Sequence, residues 1–593
     1  MPDAMLNPAE QAAEETRLAI QTCIDAGKSF LVEAGAGAGK TYSLIQALKY
    51  VINKRGPDLL RRHQRVACIT YTNVAVEEIV ARTDRHPAIQ SSTIHAFCWS
   101  MIRDFQPYLR NELPHLEGWA EKLQEAGDLG KRPITYDELG RRVIDETHAA
   151  LHHNDVLVLA VKLFAQPKFR MALASRHPIL FIDEYQDTDK AIADALKTDV
   201  LGADQGPLIG FFGDHWQKIY GTGCGTIEHP NLQVIGKKAN FRSVPVIVKC
   251  LNRIRSELPQ HVRDPNAQGV VAVYHTNDWV GVRRTGQHWG GDLPDKAAGS
   301  HLDALISRLI SEGWDMSPGQ TKILMLTHKV LAAKQGYNNL ADVFPYNEAF
   351  IKKEDSHIAF FIDELEPMCS AFEKQRYGEM FAAMGGRTLA IQSHADKLVW
   401  TRDMDKLLAL RTTGTIGAVL DHLKQTKRPR LPDAVERKEG ALEQPPQEAG
   451  EEEPVSVTRL RQLREVSYQE VIRLAEFINE KTPFSTKHGV KGAEFENVLV
   501  VFGRGWNQYN FNQFLEWADV IPPDKRETFE RNRNLFYVTC SRPKKRLAML
   551  FTQKLSDTAI LTLAKWFGPE TIHPLGIDCG GSEGAGCGIS VEV

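Results

Sequence analysis

The chain has 593 residues, 42% of them hydrophobic and 25% charged, with a formal net charge of −3. That length suits about three or four globular domains. The charge excludes a molecule that is basic all over, so any nucleic-acid contact needs a local basic groove. No apolar run approaches the ~20 residues of a membrane span, and the N-terminal MPDAMLNPAEQ lacks the apolar core of a signal peptide. The nine cysteines form no CxxC pair. Together these features predict no membrane contact and a reducing, cytoplasmic setting.

In chain order, the first element is a helical pattern, LNPAEQAAEETRLAIQTCIDAG, with Pro8 suited to its first turn. Gln11 on it is either a solvated glutamine or an amide that donates to and accepts from a purine edge. A short apolar strand, Ser29 to Glu33, leads into the Ala/Gly run Ala34 to Gly39, then Lys40, Thr41 and Tyr42 opening a helix. Side chains this small let a loop curl so that its backbone N–H groups, including those at Gly35, Gly37 and Gly39, point at phosphate oxygens. The helix N-terminus adds its positive dipole end. Lys40 would reach the β and γ phosphates and Thr41 would ligate Mg²⁺. Ala34 stands where a phosphate loop usually has its first glycine.

The strand RVACITYT ends in Tyr71, Thr72 and Asn73, and QSSTIHAFCW carries Thr93 and His95. In parallel sheets ligands gather at the carboxyl ends of strands. Hydroxyls, amides and aromatics there either bind phosphates and stack on bases or are structural. Residues 104–177 read as a helical insertion. PILFIDEYQDTDK is an apolar strand ending in two acids: Asp183 to hold Mg²⁺, and Glu184 to take a proton from attacking water that Gln186 helps position. PLIGFFGDHWQKIYG carries Gln217, an amide able to sense the γ-phosphate. In NFRS, Phe241 offers a stacking ring and Arg242 a charge clamp. After strands at VVAVYH and KILMLTH, residues 331–480 read as helical, with an acidic Pro/Glu-rich linker at 428–455. Sheet patterns return near Thr486, His488, Lys491 and Glu494 and in YVTCSRPKKRLAMLF, where Arg542 is a second charge clamp. A Gly-rich tail is expected over 565–593.

The motifs AGAGAGKT, TYTNVAVEEIVAR, STIHAFCW, FIDEYQDTD, GDHWQKIYG, NFRS, STKHGVKGAEF and YVTCSRP, in this order, resemble those of UvrD/Rep/PcrA-type superfamily 1 DNA helicases. The resemblance implies an α/β fold of two RecA-like P-loop domains with parallel sheets and ATP and Mg²⁺ between them. The first would comprise 1–103 and 178–232, the second 233–330 and 481–564, with 331–480 a helical accessory subdomain. It implies arginine fingers at Arg242 and Arg542, adenine contacts at Gln11 and Phe241, and Glu494 near the ribose. Tyr71, Thr72, Asn73, His95 and His488 match positions lining a single-stranded DNA track that the family travels 3′ to 5′. The family's stacking aromatic and arginine after Gln217 are missing, leaving Trp216 or Tyr220 to substitute. No nuclease-type carboxylate cluster follows the last strand. FIDEYQDTD and the reduced accessory region also resemble the helicase-like subunits of Gabija-type phage defence, which work beside an OLD-family nuclease. Three readings stay open: a repair or recombination helicase, a DNA-end-sensing ATPase that licenses a partner nuclease, and a nucleotide-gated structural switch.

Overall fold

The structure is a computed structural model and describes all residues except 1–5, 127–128, 137–141, 202, 204–205, 219–222, 326–327, 345, 347, 386–390, 444–453, 486–493, 505–508 and 577–593. Two six-stranded parallel sheets dominate it. The first runs, in space, Ile89–Thr93, Val66–Thr70, Ile179–Asp183, Leu208–Gly213, Phe30–Ala34, Gln233–Lys237. Its central strands are near-continuous apolar runs because helices cover both faces. Between them, Phe30, Phe181 and Phe212 meet edge to face, with centroids 5.5–6.0 Å apart. Gly210 makes room: a Cβ there would lie 2.6 Å from the Phe30 ring and 2.8 Å from Phe181. The second sheet runs Phe484–Ser485, Thr321–Met325, Phe495–Phe502, Pro543–Phe551, Val270–His275, Ile572–Pro574. The helices that follow Thr321–Met325 in sequence share a core with this sheet, Leu499 and Leu550 joining Leu420 and Leu474.

Four details differ from the sequence reading. Gln233–Lys237 pairs in parallel with Phe30–Ala34, so the first sheet ends one strand later than residue 232. Its exposed Gln233 and Val234 mark it as an edge strand, which carries a weak apolar signal. The insertion is not wholly helical: Ile134–Thr135, Val143–Ile144 and Ala149–Ala150 form a small sheet, of strands too short to show periodicity. The expected tail begins inside folded structure, since Trp566 and Phe567 are buried and Ile572–Pro574 extends the second sheet.

The expected linker is also partly folded. Asp433–Gly440 is a helix whose Glu439 is fully buried. That carboxylate takes hydrogen bonds or ion pairs from His357 Nε2 at 3.2 Å, Lys424 Nζ at 3.0 Å and the Arg464 guanidinium. A composition rich in Glu and Pro conceals one acid that staples three helices. Removing one partner of a buried charge cluster costs about 3–5 kcal/mol. Glu439→Ala is therefore expected to lower the unfolding free energy obtained from urea titration by an amount in that range, while Glu436→Ala, on the same helix but exposed, leaves it unchanged.

Candidate ATP site and nucleic-acid track

The loop after Phe30–Ala34 has the phosphate-cradling shape. Gly37 and Gly39 have φ of 73° and 74°, a region costly for any residue with a Cβ. The loop is also propped from outside. Gln260 Nε2 donates to the carbonyls of Ala36 at 3.1 Å and Ala239 at 2.9 Å, and Asn240 Nδ2 donates to Ala36 at 3.1 Å. The Phe241 N–H donates to the Gly37 carbonyl at 2.9 Å. A Cβ on Gly35 would lie 2.7 Å from Gln260, and one on Gly37 2.8 Å from Arg242 Cβ. Lys40 and Thr41 then open a 22-residue helix whose N-terminal amides face the loop.

The acidic strand end sits opposite. Lys40 Nζ lies 3.1 Å from Glu184 Oε2. Asp183 is buried, and burial together with the adjacent Glu184 charge pushes its carboxyl up to about 7. A buried aspartate with a partly exposed glutamate next to it, and a threonine hydroxyl at the start of the helix that follows the loop, are oxygen donors of the kind a hard dication takes, so Thr41 and Asp183 fit Mg²⁺. Bound there, the ion would neutralise phosphate charge. Glu184 has φ 49°, an unusual conformation held by its surroundings. Gln186 Nε2 donates to Glu184 Oε2, while Gln186 Oε1 accepts from the Asp214 N–H at 3.0 Å. Glu184 is thereby tied to the end of the next strand.

Two guanidiniums from beyond the first sheet approach this point. Arg542 is 1% exposed, and its side chain donates to the Val538 carbonyl at 3.1 Å and to Gln217 Oε1 at 3.4 Å. Burial, and then the neighbouring Arg242, push it down to about 9. Gln217 Nε2 in turn donates to Asp214 at 2.7 Å. Arg242 donates to Glu494 Oε1 at 3.0 Å and to the Ser541 carbonyl at 2.9 Å. Glu494 thus holds the Arg242 guanidinium in this structure.

The cleft itself has a volume of about 630 Å³ and is lined by Tyr42, Phe241, Gly39, Arg17, Lys237 and Arg263 among others. Tyr42 is 59% and Phe241 38% exposed, so two ring faces are available to a base. Gln11 is exposed on its helix and donates to the Leu6 carbonyl at 3.0 Å, outside the cleft lining.

The sequence reading missed Arg255. It is fully buried and donates to Asp214 Oδ1 at 2.6 Å and Glu33 Oε1 at 2.9 Å, over the rings of Trp216 and Tyr537. Burial opposes ionisation of Glu33, yet His215 and Arg255 hold its carboxyl down to about 2. Glu33, Asp214 and His215 bring ligand-type atoms within 4.8 Å of one another. The guanidinium already supplies their cation. Trp216 is therefore no stacking platform: it is 7% exposed, wedged between Arg255 and Arg533, whose guanidinium lies 4.1 Å from its ring centroid. Asn534 Nδ2 completes the clasp on the carbonyls of His215 and Lys218.

Tyr71, Thr72, Asn73, Thr93 and His95 do come to one edge. Thr70 and Thr93 are register partners at the ends of adjacent strands. Tyr71, Thr72 and Asn73 are exposed. The Thr72 and Thr93 hydroxyls accept from the N–H groups of Ala75 and Ala96 and so cap helices. His95 packs edge-on against His153 of the insertion at 5.5 Å. Tyr220, Thr486 and His488 lie outside the described residues, as does Lys491.

Residues 13–127 and 134–229 match the UvrD/REP helicase N-terminal domain, and residues 346–554 the UvrD-like helicase C-terminal domain. The chain belongs to the UvrD-like helicase family. It is an ATP-hydrolysing DNA helicase by that membership. It is 24% identical to the Gabija protein GajB of Bacillus cereus (strain HuB5-5), over 93% of this chain and 97% of that protein. A shorter match, 24% identical over 38% of this chain and 37% of the relative, is to the ATP-dependent DNA helicase PcrA of Staphylococcus epidermidis. Among the described residues no helix is long and apolar enough to cross a membrane.

Two outcomes follow from the acids. Glu184→Gln keeps ATP binding but slows hydrolysis by about 10²–10⁴, because an amide cannot accept the proton; filter binding and phosphate release separate the two. Asp183 has a carboxyl raised from 3.8 to about 7. The fold therefore holds a proton that the unfolded chain has released, and this group's contribution to stability is lost as pH rises through about 7. Asp183→Asn should raise the nucleotide-free thermal midpoint at pH 8, with the gain shrinking towards pH 5.

Proposed function

We propose that this protein couples ATP hydrolysis to 3′-to-5′ movement along single-stranded DNA and so displaces a duplex strand at a single-strand/duplex junction. The observation that carries the reading is the meeting of Arg542 and Gln217, which ties the second sheet's guanidinium to the γ-phosphate sensor of the first. In this scheme Glu184 takes the proton of the attacking water, and Gln186 holds Glu184 in place. Lys40 leaves Glu184 for the β and γ phosphates. Arg242 exchanges Glu494 for phosphate oxygens. Arg542 turns towards the charge that develops on the transferring phosphoryl group. Closure and reopening of the cleft would then be relayed through Gln217, Asp214 and Arg255 to the strand ends that carry Tyr71 and Asn73.

A second reading has a specific observation behind it, the similarity to GajB across nearly the whole of both chains. In that reading the same ATPase responds to DNA ends and licenses a nuclease of OLD type. The buried Trp216 favours it, because base stacking worth ~1–3 kcal/mol per base is then not supplied by that ring.

Strand displacement decides between them. With ATP and Mg²⁺, a 3′-tailed duplex is expected to be unwound and a 5′-tailed duplex left intact, with ATP turnover raised many-fold by single-stranded DNA. DNA-stimulated turnover without displacement, together with co-purification of a nuclease, supports the second reading. Turnover indifferent to DNA contradicts both.

A further inference from the structure

Lys237 closes the last strand of the first sheet, and no motif accounts for it. Its side chain is buried in the wall of the nucleotide cleft. The ammonium donates to the Gly39 carbonyl at 3.0 Å and to Ser43 Oγ at 2.6 Å, both on the first turn of the helix that opens at Lys40. Among the described residues no carboxylate pairs with it. The acids that share the cleft are otherwise engaged: Glu14 takes the Arg17 fork, and Glu10 accepts the Asn7 N–H. The remaining charged neighbours in the lining, Arg17 and Arg263, are cations.

An ammonium is doubly misplaced here. A buried charge without a partner is costly, and a cation at a helix N-terminus meets the positive end of the dipole. Both costs vanish if an anion joins it. The space is present: a Cβ built on Gly39 would lie 3.6 Å from Lys237 Nζ, 3.8 Å from Tyr42 Cβ and 3.9 Å from Phe241 Cδ2. Lys237 therefore shares one corner with the two aromatics that face the base. Lys40, one residue on, serves the β and γ phosphates.

We propose that Lys237 is a second phosphate-binding lysine of this site, its ammonium contacting the α-phosphate of the bound nucleotide where the phosphate chain turns towards the base. The proposal rests on the nucleotide reading of the cleft. Its third N–H completes a charge-assisted bond while Gly39 and Ser43 fix the side chain. Burial lowers the free lysine to about 8, so it is charged at neutral pH. A bound phosphate raises that value again. Nucleotide affinity then falls as pH climbs through about 8.

The experiment measures ADP, AMP and adenosine binding by calorimetry to the full chain, wild type, Lys237→Met and Lys237→Gln. A charge-assisted hydrogen bond is worth about 1.5–3 kcal/mol, so both variants should bind ADP and AMP about tenfold or more weakly. Adenosine affinity should stay unchanged. The nucleotide-free thermal midpoint should hold or rise, because an uncompensated charge is gone. The fall in wild-type ADP affinity between pH 7 and pH 9 should be absent from the variants. ADP binding unchanged in both variants overturns the proposal and leaves the nucleotide site standing. Equal weakening of ADP and adenosine with a lowered midpoint also overturns it, by reducing Lys237 to a brace. A wild-type chain that binds no ADP overturns the nucleotide reading itself.

Discussion

The end of the strand Leu208–Gly213 is where the two sheets are bound to each other, and buried charge does the binding. Arg255 cannot sit among Trp216 and Tyr537 without carboxylates, and Asp214 and Glu33 cannot sit there without a cation. Each satisfies the other only if the helix Pro245–Ile254, whose Ile247 and Leu251 share the core of the second sheet, keeps the following Arg255 in reach of the first. Asp214 then orients Gln217, and Gln217 meets Arg542. A charge arriving at the phosphate loop is thus one amide away from a clasp that spans both sheets. Interfaces held this way have discrete arrangements rather than a continuum, as a motor needs.

Charged groups of both signs crowd the phosphate loop and the acidic strand end opposite it. Lys40 pairs with Glu184, next to the buried Asp183, Arg542 feels the charges of Glu184 and Arg242, and Glu494 is an exposed partner for Arg242, while Lys237 lies in the wall of the neighbouring cleft. Burial disfavours the charged forms of Lys237 and Arg542 and of Asp183 alike. A metal-bound polyphosphate would bring negative charge to the lysines and arginines and positive charge to the aspartate, and so would relieve these costs. Stability is given up locally for a ligand, and the rest of the sheet, with its triad of phenylalanine rings, holds the shape.

The readable parts of the sequence were those whose chemistry is local. The Ala/Gly run before Lys40 and the apolar strand ending at Asp183 each announce themselves within a few residues, and their order along the chain gave both the α/β class and the family. Gln260, Asn240, Arg255 and Lys237 act on partners far away in sequence. Gln260 props Ala36, and Arg255 reaches Glu33, so no window of residues contains the signal. Trp216 is hidden for the same reason: an aromatic beside a nucleotide motif suggests stacking, but Arg533 from a distant helix lies on its face. Composition misled at 428–455, where one buried glutamate outweighs the acidic, proline-rich stretch around it.

The central claim is that a guanidinium from the second sheet completes the chemistry begun on the first. Single-turnover hydrolysis by Arg542→Ala at saturating ATP, set beside its ATP affinity, tests this most directly. The account predicts a chemical step slower by about 10³-fold or more, with ATP affinity reduced far less. A chemical step at the wild-type rate, whatever happens to affinity, would contradict it.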